Sequence, residues 1–380
     1  MAQIRIPLSS PDITEADIEA VVSVLRTTQL SLGPKMEAFE HALAAYVGAT
    51  HAVAVNSGTS GLHLCVRSLG IGEGDEVIVP SFTFVAAANV IQMERATPVF
   101  VDIDPITLNL DSAKVEAAIT SRTRALMIVH TFGRPAEMTQ LLAIAKRHNL
   151  RVIEDACEAI GAEYHGQKVG LLGDAGVFAF YPNKQMTTGE GGMIVTGNGG
   201  LAATARSLRN QGRRRTRDWL EHAELGFNYR LSEMNCALGL QQLRRIESML
   251  ARRAEVASWY DQRLRKNASL VLPALDMADC RISWFVYVVR LAPQFSREDR
   301  DAIVRQLGSE GIACGRYFAP IHLQPAYRNA AVPVNSLEVT EFAGERCIAL
   351  PFFNRIAPAE VEEVCARLEA AILHRLARLR

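Results

Sequence analysis

One lysine stands apart from the others in this sequence. The chain has six lysines among its 41 Lys and Arg residues, so arginine is its usual cation. Five of the lysines lie among polar or charged neighbours, whereas Lys184 follows the apolar run VFAFY and precedes the turn TTGEGG. Arginine does not act as a nucleophile at neutral pH, but a lysine removed from water forms a Schiff base with a carbonyl group. Lys184 is therefore the candidate catalytic residue.

One carboxylate lies where a ligand site is expected. Asp155 comes directly after the apolar residues of VIED, at the predicted end of a strand. Doubly wound sheets bind their ligands at the carboxyl ends of strands, so Asp155 is a candidate site residue. A helix cap or an ion-paired aspartate is an equally ordinary interpretation of this pattern. Asp102 and Asp104 in VFVDIDP are rivals at another strand end, although Asp104 precedes a proline and favours a turn.

The segment NSGTSGL, residues 56–62, has the composition of an anion site. Gly58 and its small neighbours allow backbone N–H groups to approach an anion, and the N-terminus of the helix that follows favours negative charge. Thr59 and Ser60 add hydroxyl donors. Such turns often serve only as helix caps, and the segment lacks the lysine of a P-loop and the spacing of a GxGxxG fingerprint. Phosphate binding and simple capping are both open interpretations.

Together these three features match one cofactor. Pyridoxal 5′-phosphate (PLP) needs a lysine for its aldehyde, a carboxylate that keeps its pyridine nitrogen protonated, and an anion site for its phosphate. The ring also needs a flat apolar partner, and SFTFVAAAN offers Phe82 and Phe84. The combination is more specific than any single feature, and it predicts a PLP site.

The elements around these residues predict an α/β fold. Between residues 51 and 200, apolar runs alternate with helical patterns, which is typical of a mostly parallel sheet covered by helices on both faces. One long helix is predicted at Ser232–Leu264, followed by mixed strands and helices. Because 380 residues exceed the usual size of one core, we expect a large PLP-binding domain at 1–248 and a smaller α+β domain at 249–380. The predicted strands are HAVAV, DEVIVP, PVFVD, RALMIVH, LRVIED, GVFAFY and GMIVT.

Composition and charge exclude several classes of protein. With 49% hydrophobic and 22% charged residues the chain supports a large folded core, and its zero formal net charge gives no reason to expect nucleic acid as a partner. The chain begins without an apolar signal core and has no apolar run of membrane length, so we expect a cytoplasmic protein. Its seven cysteines are scattered singly and its nine histidines lack metal-binding spacing, so neither disulfides nor a metal site is predicted.

Nearly the whole chain resembles the nucleotide-sugar aminotransferases of the DegT/DnrJ/StrS type, which are PLP enzymes of fold type I, like aspartate aminotransferase. The similar segments include LSLGPKMEAFE, NSGTSGLHL, VIEDACEAIGAEYHGQKVG and ALPFFN. The most discriminating are FAFYPNKQMTTGEGGM and GFNYRLSEMNCALGLQQL. The resemblance implies that Lys184 forms the Schiff base and moves protons, and that Asp155 pairs with the pyridinium. It also implies that Thr59 and the backbone of Gly58 and Ser60 hold the phosphate.

Other implied roles concern the ring and a second subunit. Phe84 would stack on the cofactor ring, and Glu158 would lie near the cofactor's phenolic oxygen. Asn228 matches a position that reaches the phosphate from the neighbouring subunit, which implies a homodimer with shared active sites. Two residues depart from the family pattern: Ala179 replaces a phosphate-binding serine, and Trp284 lies where a histidine near the sugar is common. A branch that deoxygenates sugars has histidine at the position of Lys184, so Lys184 indicates amination.

The resemblance predicts transfer of an amino group from L-glutamate to a keto-sugar of a nucleotide-sugar, for polysaccharide or glycoconjugate biosynthesis. The TTGEGG segment favours a 4-keto-6-deoxy sugar over a 3-keto sugar. Two alternatives stay open: a keto-cyclitol aminotransferase that uses glutamine, and a catalytically silent PLP-binding regulatory protein.

Two further segments have more than one interpretation. The basic run Arg209–Arg217 could bind the substrate's diphosphate, contact the dimer mate or touch nucleic acid, or it could be an ordinary solvated loop. Nucleic acid ranks last, because no wider basic surface or interleaved aromatic residues accompany the run. Tyr317 and His322 in RYFAPIHLQPAY line the sugar pocket or simply pack the small domain.

Overall fold

The computed structural model describes residues 3–213, 221–328 and 336–379. The strands are β1 (His51–Val55), β2 (Glu76–Pro80), β3 (Thr97–Val101), β4 (Thr123–Val129), β5 (Arg151–Asp155), β6 (Glu163–Tyr164), β7 (Gln167–Lys168), β8 (Ala175–Ala179), β9 (Gly192–Thr196), β10 (Leu270–Val271), β11 (Cys280–Arg281), β12 (Tyr287–Leu291) and β13 (Cys347–Leu350).

The helices are α1 (Glu15–Leu25), α2 (Pro34–Val47), α3 (Gly58–Ser68), α4 (Ala86–Met93), α5 (Ser112–Val115), α6 (Met138–Arg147), α7 (Gly199–Arg209), α8 (Glu233–Arg244), α9 (Ile246–Leu264), α10 (Arg297–Ser309), α11 (Glu338–Arg346) and α12 (Pro358–Leu379). Short 3₁₀ turns occupy Glu116–Ala118, Thr131–Gly133, Ile321–Leu323 and Pro325–Tyr327. Within the described ranges, none of the helices combines the length and hydropathy that a membrane crossing requires.

A seven-stranded sheet in the order β1-β9-β8-β5-β4-β2-β3 forms the centre of the fold. The pairs among β3, β2, β4, β5 and β8 are parallel, and β9 runs antiparallel to both of its neighbours. The predicted α/β fold with a mostly parallel sheet is confirmed. Each strand that the sequence predicted in this region is present.

The sheet is buried on both faces, which explains its continuous apolar strands. Alternate residues of β2 enter opposite cores: Ile78 packs in the cluster that contains Phe39 of α2, and Val77 and Val79 pack in the cluster that contains Leu64 of α3. All three β2 side chains are fully buried. The helices therefore hold the sheet as a rigid platform from both sides.

The predicted single helix Ser232–Leu264 is wrong, because the chain forms two helices that meet at Arg245. The backbone of Arg245 leaves the helical region, with φ −106° and ψ 3°. Its guanidinium reaches back to the N-terminal segment, where it donates to the carbonyl oxygen of Asp12 and to Asp17 Oδ2 at 2.7 and 3.0 Å. The predicted start is correct, since the Ser232 side chain caps α8.

Helices α1 and α2 were not predicted, although both carry terminal signals. Thr14 and Asp17 form a capping box at the start of α1, and Pro34 begins α2. Helix α2 packs closely on α8, where a Cβ built on Gly239 would lie 2.6 Å from the Phe39 ring. The glycine thus permits the close approach of the two helices.

The C-terminal part has its own antiparallel sheet, in the order β10-β12-β13. Helices α9, α10 and α12 share one apolar core with this sheet, and Ile6 from the start of the chain packs into the same core. Helix α12 is amphipathic, and its apolar face of Val361, Val364, Leu368 and Ile372 is buried in this core. The expected domain boundary near residue 248 falls within α9 and stays a prediction.

Candidate active site

A cavity of about 410 Å³ lies at the carboxyl edge of the large sheet. It is bounded by the end of β5, the start of α3 and the loop between β8 and β9. The predicted residues that line it are Gly58, Thr59, Phe84, Asp155, Glu158 and Lys184. These residues come from four separate segments of the chain, and the fold brings them to one cavity.

Lys184 lies in the loop between β8 and β9, with its side chain only 13% exposed. Its Nζ atom is 3.5 Å from Glu158 Oε1 and 4.0 Å from the centre of the Phe285 ring. Its backbone N–H donates to the carbonyl oxygen of Tyr181 at 2.9 Å. The amine is therefore held at the cavity by a carboxylate, an aromatic face and a local turn.

The two carboxylates that end β5 face opposite ways because side chains alternate along a strand. Asp155 lines the cavity, and its Oδ1 accepts the backbone N–H of Cys157 at 3.1 Å. Glu154 is fully buried away from the cavity, where it lies 3.0 Å from His130 Nε2 and accepts the N–H of Gly170 at 2.7 Å. Asp155 is thus the carboxylate available to a ligand.

Glu158 follows Asp155 by less than one helical turn and is also buried. Its Oε2 accepts the backbone N–H of Phe132 at 2.9 Å, which leaves Oε1 facing Lys184. Burial raises the pKa of Glu158, and the positive charge of Lys184 opposes that shift. A carboxyl group in this position is suited to hold or release a proton beside the lysine.

The N-terminus of α3 forms an open backbone cradle. Gly58 begins the helix, and a Cβ built there would lie 2.7 Å from Ala179 Cβ and 2.8 Å from Cys157 Sγ, so only glycine fits. Ser60 does not line the cavity: its N–H donates to Ser57 Oγ, and its hydroxyl donates to Asn56 Oδ1 at 2.7 Å. Gly58 and Thr59 are therefore the members of the predicted trio that face the ligand space.

The two phenylalanines of SFTFVAAAN have different environments. Phe82 is fully buried and packs edge-on against Phe132 and Phe318. Phe84 is 61% exposed and lines the cavity. Phe84 is consequently the ring that is free to stack on a planar ligand.

The rival aspartates have structural roles. Asp102 pairs with Lys114 at 2.9 Å and accepts the backbone N–H of Thr340 at 2.8 Å. Asp104 accepts the N–H of Ile106 and of Thr107, which is the turn role that its place before proline favours. Neither lines the cavity.

Of the other residues discussed from the sequence, some line the cavity and some lie elsewhere. Ala179 and Tyr317 line the cavity. Trp284 is buried in the C-terminal core instead. The Nδ1 atom of His322 lies 2.7 Å from the Ser81 hydroxyl, outside the cavity.

Asn228 does not line the cavity of its own chain. It forms a bridge with Asn210, and its carbonyl oxygen accepts the side-chain amide of Asn56 at 3.4 Å. Within the basic run, Arg209 is buried and pairs with Glu40 at 2.5 Å, so it is not part of a solvated loop. Residues 214–217 of that run lie outside the described residues.

Several cavity residues were not predicted from the sequence. Tyr181 and Asn183 flank Lys184 closely enough that their position in the chain was a usable signal. Cys157, between Asp155 and Glu158, carried the same kind of signal. Phe285 carried none, because only the packing of the C-terminal part brings it to Lys184.

The donor set fits PLP. The cavity offers a lysine amine, a carboxylate at a strand end, an exposed aromatic face and a helix N-terminus that glycine keeps open, and each matches a different part of that cofactor. Fold and site together define a PLP-dependent aminotransferase of fold type I. The chain belongs to the DegT/DnrJ/EryC1/StrS aminotransferase family, whose family model matches residues 11–369.

Similar proteins narrow the class to sugar aminotransferases. GDP-perosamine synthase of Caulobacter vibrioides is 42% identical over 371 residues, covering 97% of this chain and 99% of that protein. DesV of S. venezuelae, solved in complex with a ketimine intermediate, is 36% identical with a TM-score of 0.89, covering 97% of this chain and 99% of that one. The sugar aminotransferase Spr1654 of Streptococcus pneumoniae, described as putative and solved in a PLP form, is 29% identical with a TM-score of 0.91, covering 96% and 98%. The chain is therefore a sugar aminotransferase with PLP as its cofactor, which decides against the catalytically silent alternative.

Proposed function

We propose that this enzyme transfers an amino group from L-glutamate to a 4-keto-6-deoxy sugar carried by a nucleoside diphosphate. The meeting of Lys184, Asp155 and Glu158 in one cavity carries the proposal. The cavity volume of about 410 Å³ is in the range of small-molecule sites. The product would serve polysaccharide or glycoconjugate biosynthesis in the cytoplasm.

The names of two relatives support the acceptor class. One is a GDP-perosamine synthase, a name that describes a nucleotide-linked sugar product. Another, PseC of Helicobacter pylori, is an aminotransferase involved in pseudoaminic acid biosynthesis, with 29% identity and a TM-score of 0.90. The TTGEGG segment after Lys184 favours the 4-keto acceptor in this chain.

Each site residue has a distinct task in the proposal. Lys184 attaches the cofactor through its ε-amine and afterwards carries the proton between carbon atoms, as its place beside Glu158 permits. Asp155 keeps the pyridine nitrogen protonated. Bound PLP supplies an electron sink that stabilises negative charge on the substrate carbon.

The remaining residues orient the bound groups. Gly58 and Thr59 hold the phosphate at the positive end of α3, whereas the Ser60 N–H is engaged by Ser57 Oγ. Phe84, which is exposed at the cavity, would stack on the cofactor ring. Glu158 would exchange a proton beside Lys184, whose Nζ atom lies 3.5 Å from Glu158 Oε1.

We also propose a homodimer in which Asn228 completes the active site of the other subunit. Asn228 lies outside its own cavity, as a residue that acts across an interface would. Mixing Lys184→Ala with Asn228→Ala chains tests this directly. A mixed dimer would contain one fully native site, so activity should exceed that of either variant alone, and no gain would refute sharing.

The visible absorbance of the PLP-loaded enzyme tests the proposed function. L-glutamate should convert the band of lysine-bound cofactor to that of the aminated cofactor, and L-glutamine should not. The variant Lys184→Ala should lose this conversion, whereas Lys266→Ala, which changes an exposed lysine, should keep it. A nucleotide-linked 4-keto sugar should then restore the original band faster than a 3-keto sugar or a keto-cyclitol. Faster restoration by either of the latter would overturn the acceptor assignment.

A further inference from the structure

Arg253 of α9 is a buried cation whose hydrogen-bond acceptors are all backbone carbonyls. It is 2% exposed. Its Nη2 donates to the carbonyl oxygen of Lys184 at 3.1 Å. Its Nη1 donates to the carbonyl oxygens of Phe285 and Trp284 at 3.0 and 3.4 Å. One guanidinium therefore ties the lysine loop to the segment that precedes β12.

The two segments joined by Arg253 also meet at the lysine side chain. The centre of the Phe285 ring lies 4.0 Å from Lys184 Nζ, and the Phe285 carbonyl oxygen accepts a hydrogen bond from Arg253. Phe285 therefore contacts both the lysine amine and the arginine. Gln185 also joins the same two segments, because its side-chain amide donates to the carbonyl oxygen of Ser283 at 3.0 Å. The position of the Lys184 amine thus depends on how these two segments are fixed.

Burying the charged guanidinium of Arg253 costs free energy, which indicates that the side chain has a specific role. Among the residues that the structure describes, no carboxylate forms an ion pair with it, and burial lowers the pKa of Arg253 to about 10. The side chain remains charged at neutral pH because that value lies well above neutrality. A planar fork with several donors satisfies carbonyls in different directions, whereas a lysine ammonium offers a single charged centre.

We propose that Arg253 is a positioning residue that fixes the Lys184 amine against Phe285 and Glu158. Misplacing a reacting group by about 1 Å lowers rates by as much as about 100-fold. Loss of the Arg253 hydrogen bonds should therefore slow the step in which Lys184 moves a proton. The affinity for the amino donor should change less. The proposal rests on the proposed role of Lys184.

Arg252 offers a matched control on the same helix. Its Nε and Nη2 donate to the carbonyl oxygens of Asn354 and Ile356, each at 3.0 Å, and neither acceptor lines the cavity. The variants Arg253→Met, Arg253→Lys and Arg252→Met are compared with the wild type. Hydrogen exchange of the peptide that contains Lys184 is measured in the cofactor-free enzyme. Stopped-flow absorbance gives the rate constant at saturating L-glutamate and the apparent Kd for L-glutamate.

We expect Arg253→Met to speed exchange of the Lys184 peptide and to lower the saturating rate constant by about 10- to 100-fold, with less than a threefold change in Kd. Arg253→Lys should lose less, and Arg252→Met should match the wild type in both measurements. Equal losses in Arg252→Met and Arg253→Met would overturn the proposal, as would a slower rate without faster exchange. If Arg253→Met does not fold, Arg253→Lys carries the same two comparisons.

The two measurements separate this inference from the proposed function. If the wild-type enzyme does not respond to L-glutamate, the donor assignment fails. The exchange comparison would then still decide whether Arg253 fixes the lysine loop, because it uses neither donor nor acceptor.

Discussion

Replacing Phe84 by alanine should weaken PLP binding without destabilising the fold, and replacing Phe82 should do the reverse. The two residues are two positions apart, yet Phe84 is 61% exposed at the cavity, and Phe82 is fully buried and does not line it. An exposed side chain contributes little to the free energy of unfolding. Its removal therefore weakens ligand binding only if the ligand covers that side chain. The pair therefore separates cofactor contact from core packing.

The structure sets the size of the Phe84 effect. An aromatic side chain offers roughly 200 Å² of surface, and with 61% of it exposed about 120 Å² remains to be covered by a ligand. A stacked ring covers one face, or about 60 Å², which is worth about 1.5 kcal/mol at about 25 cal/mol per Å². Ring-on-ring geometry adds about 0.5 kcal/mol or more. The total of about 2 kcal/mol corresponds to a roughly 30-fold increase in the Kd for PLP.

The Phe82 effect belongs to the fold. Truncation of a fully buried phenylalanine costs about 3–5 kcal/mol of unfolding free energy. Absorbance titration gives the Kd for PLP, and thermal unfolding of the cofactor-free enzyme gives stability. The reasoning fails if Phe84→Ala keeps the wild-type Kd, or if it lowers the thermal midpoint as much as Phe82→Ala does.

Three further changes test the cradle and the carboxyl group. Gly58→Ala should weaken PLP binding and destabilise the fold by about 1–3 kcal/mol, because its Cβ would lie 2.7 Å from Ala179 Cβ, whereas Gly197→Ala, with open space around it, should do neither. Equal thermal midpoints and Kd values for the two variants would contradict the cradle. Ala179→Ser should tighten PLP binding by up to about tenfold by adding a hydroxyl donor to the phosphate, and an unchanged Kd from titration would refute that contact. Burial raises the pKa of Glu158 above its ordinary value of 4.5, so stability from this group is full below pH 4.5 and is lost as pH rises through the folded-state pKa. The thermal midpoint of cofactor-free Glu158→Gln should therefore rise relative to wild type between pH 4.5 and neutral pH, and a constant difference would be incompatible with that pKa shift.

Much of the large sheet follows from local sequence patterns. Strands buried on both faces read as apolar runs of about five residues, and turn residues separate them from helices, so β1 to β5, β8 and β9 were predictable. The break at Arg245 was not predictable, because the flanking residues continue the helical pattern. Its guanidinium contacts Asp12 and Asp17, which lie more than 200 positions earlier in the chain.

For the active site, too, some features follow from the sequence and others only from the tertiary structure. The sequence by itself determined the chemical groups of the site, namely an isolated lysine, a carboxylate at a strand end and a small-residue turn before a helix. These are local features of the chain, so they can be recognised without knowing the fold. Only the tertiary structure decided which of Phe82 and Phe84 faces the ligand, since the two share a segment and a residue type. It alone also brought Phe285 and Arg253 to Lys184. Arg253 is 69 positions from the lysine it contacts, and contacts over such distances depend on how whole helices and sheets pack.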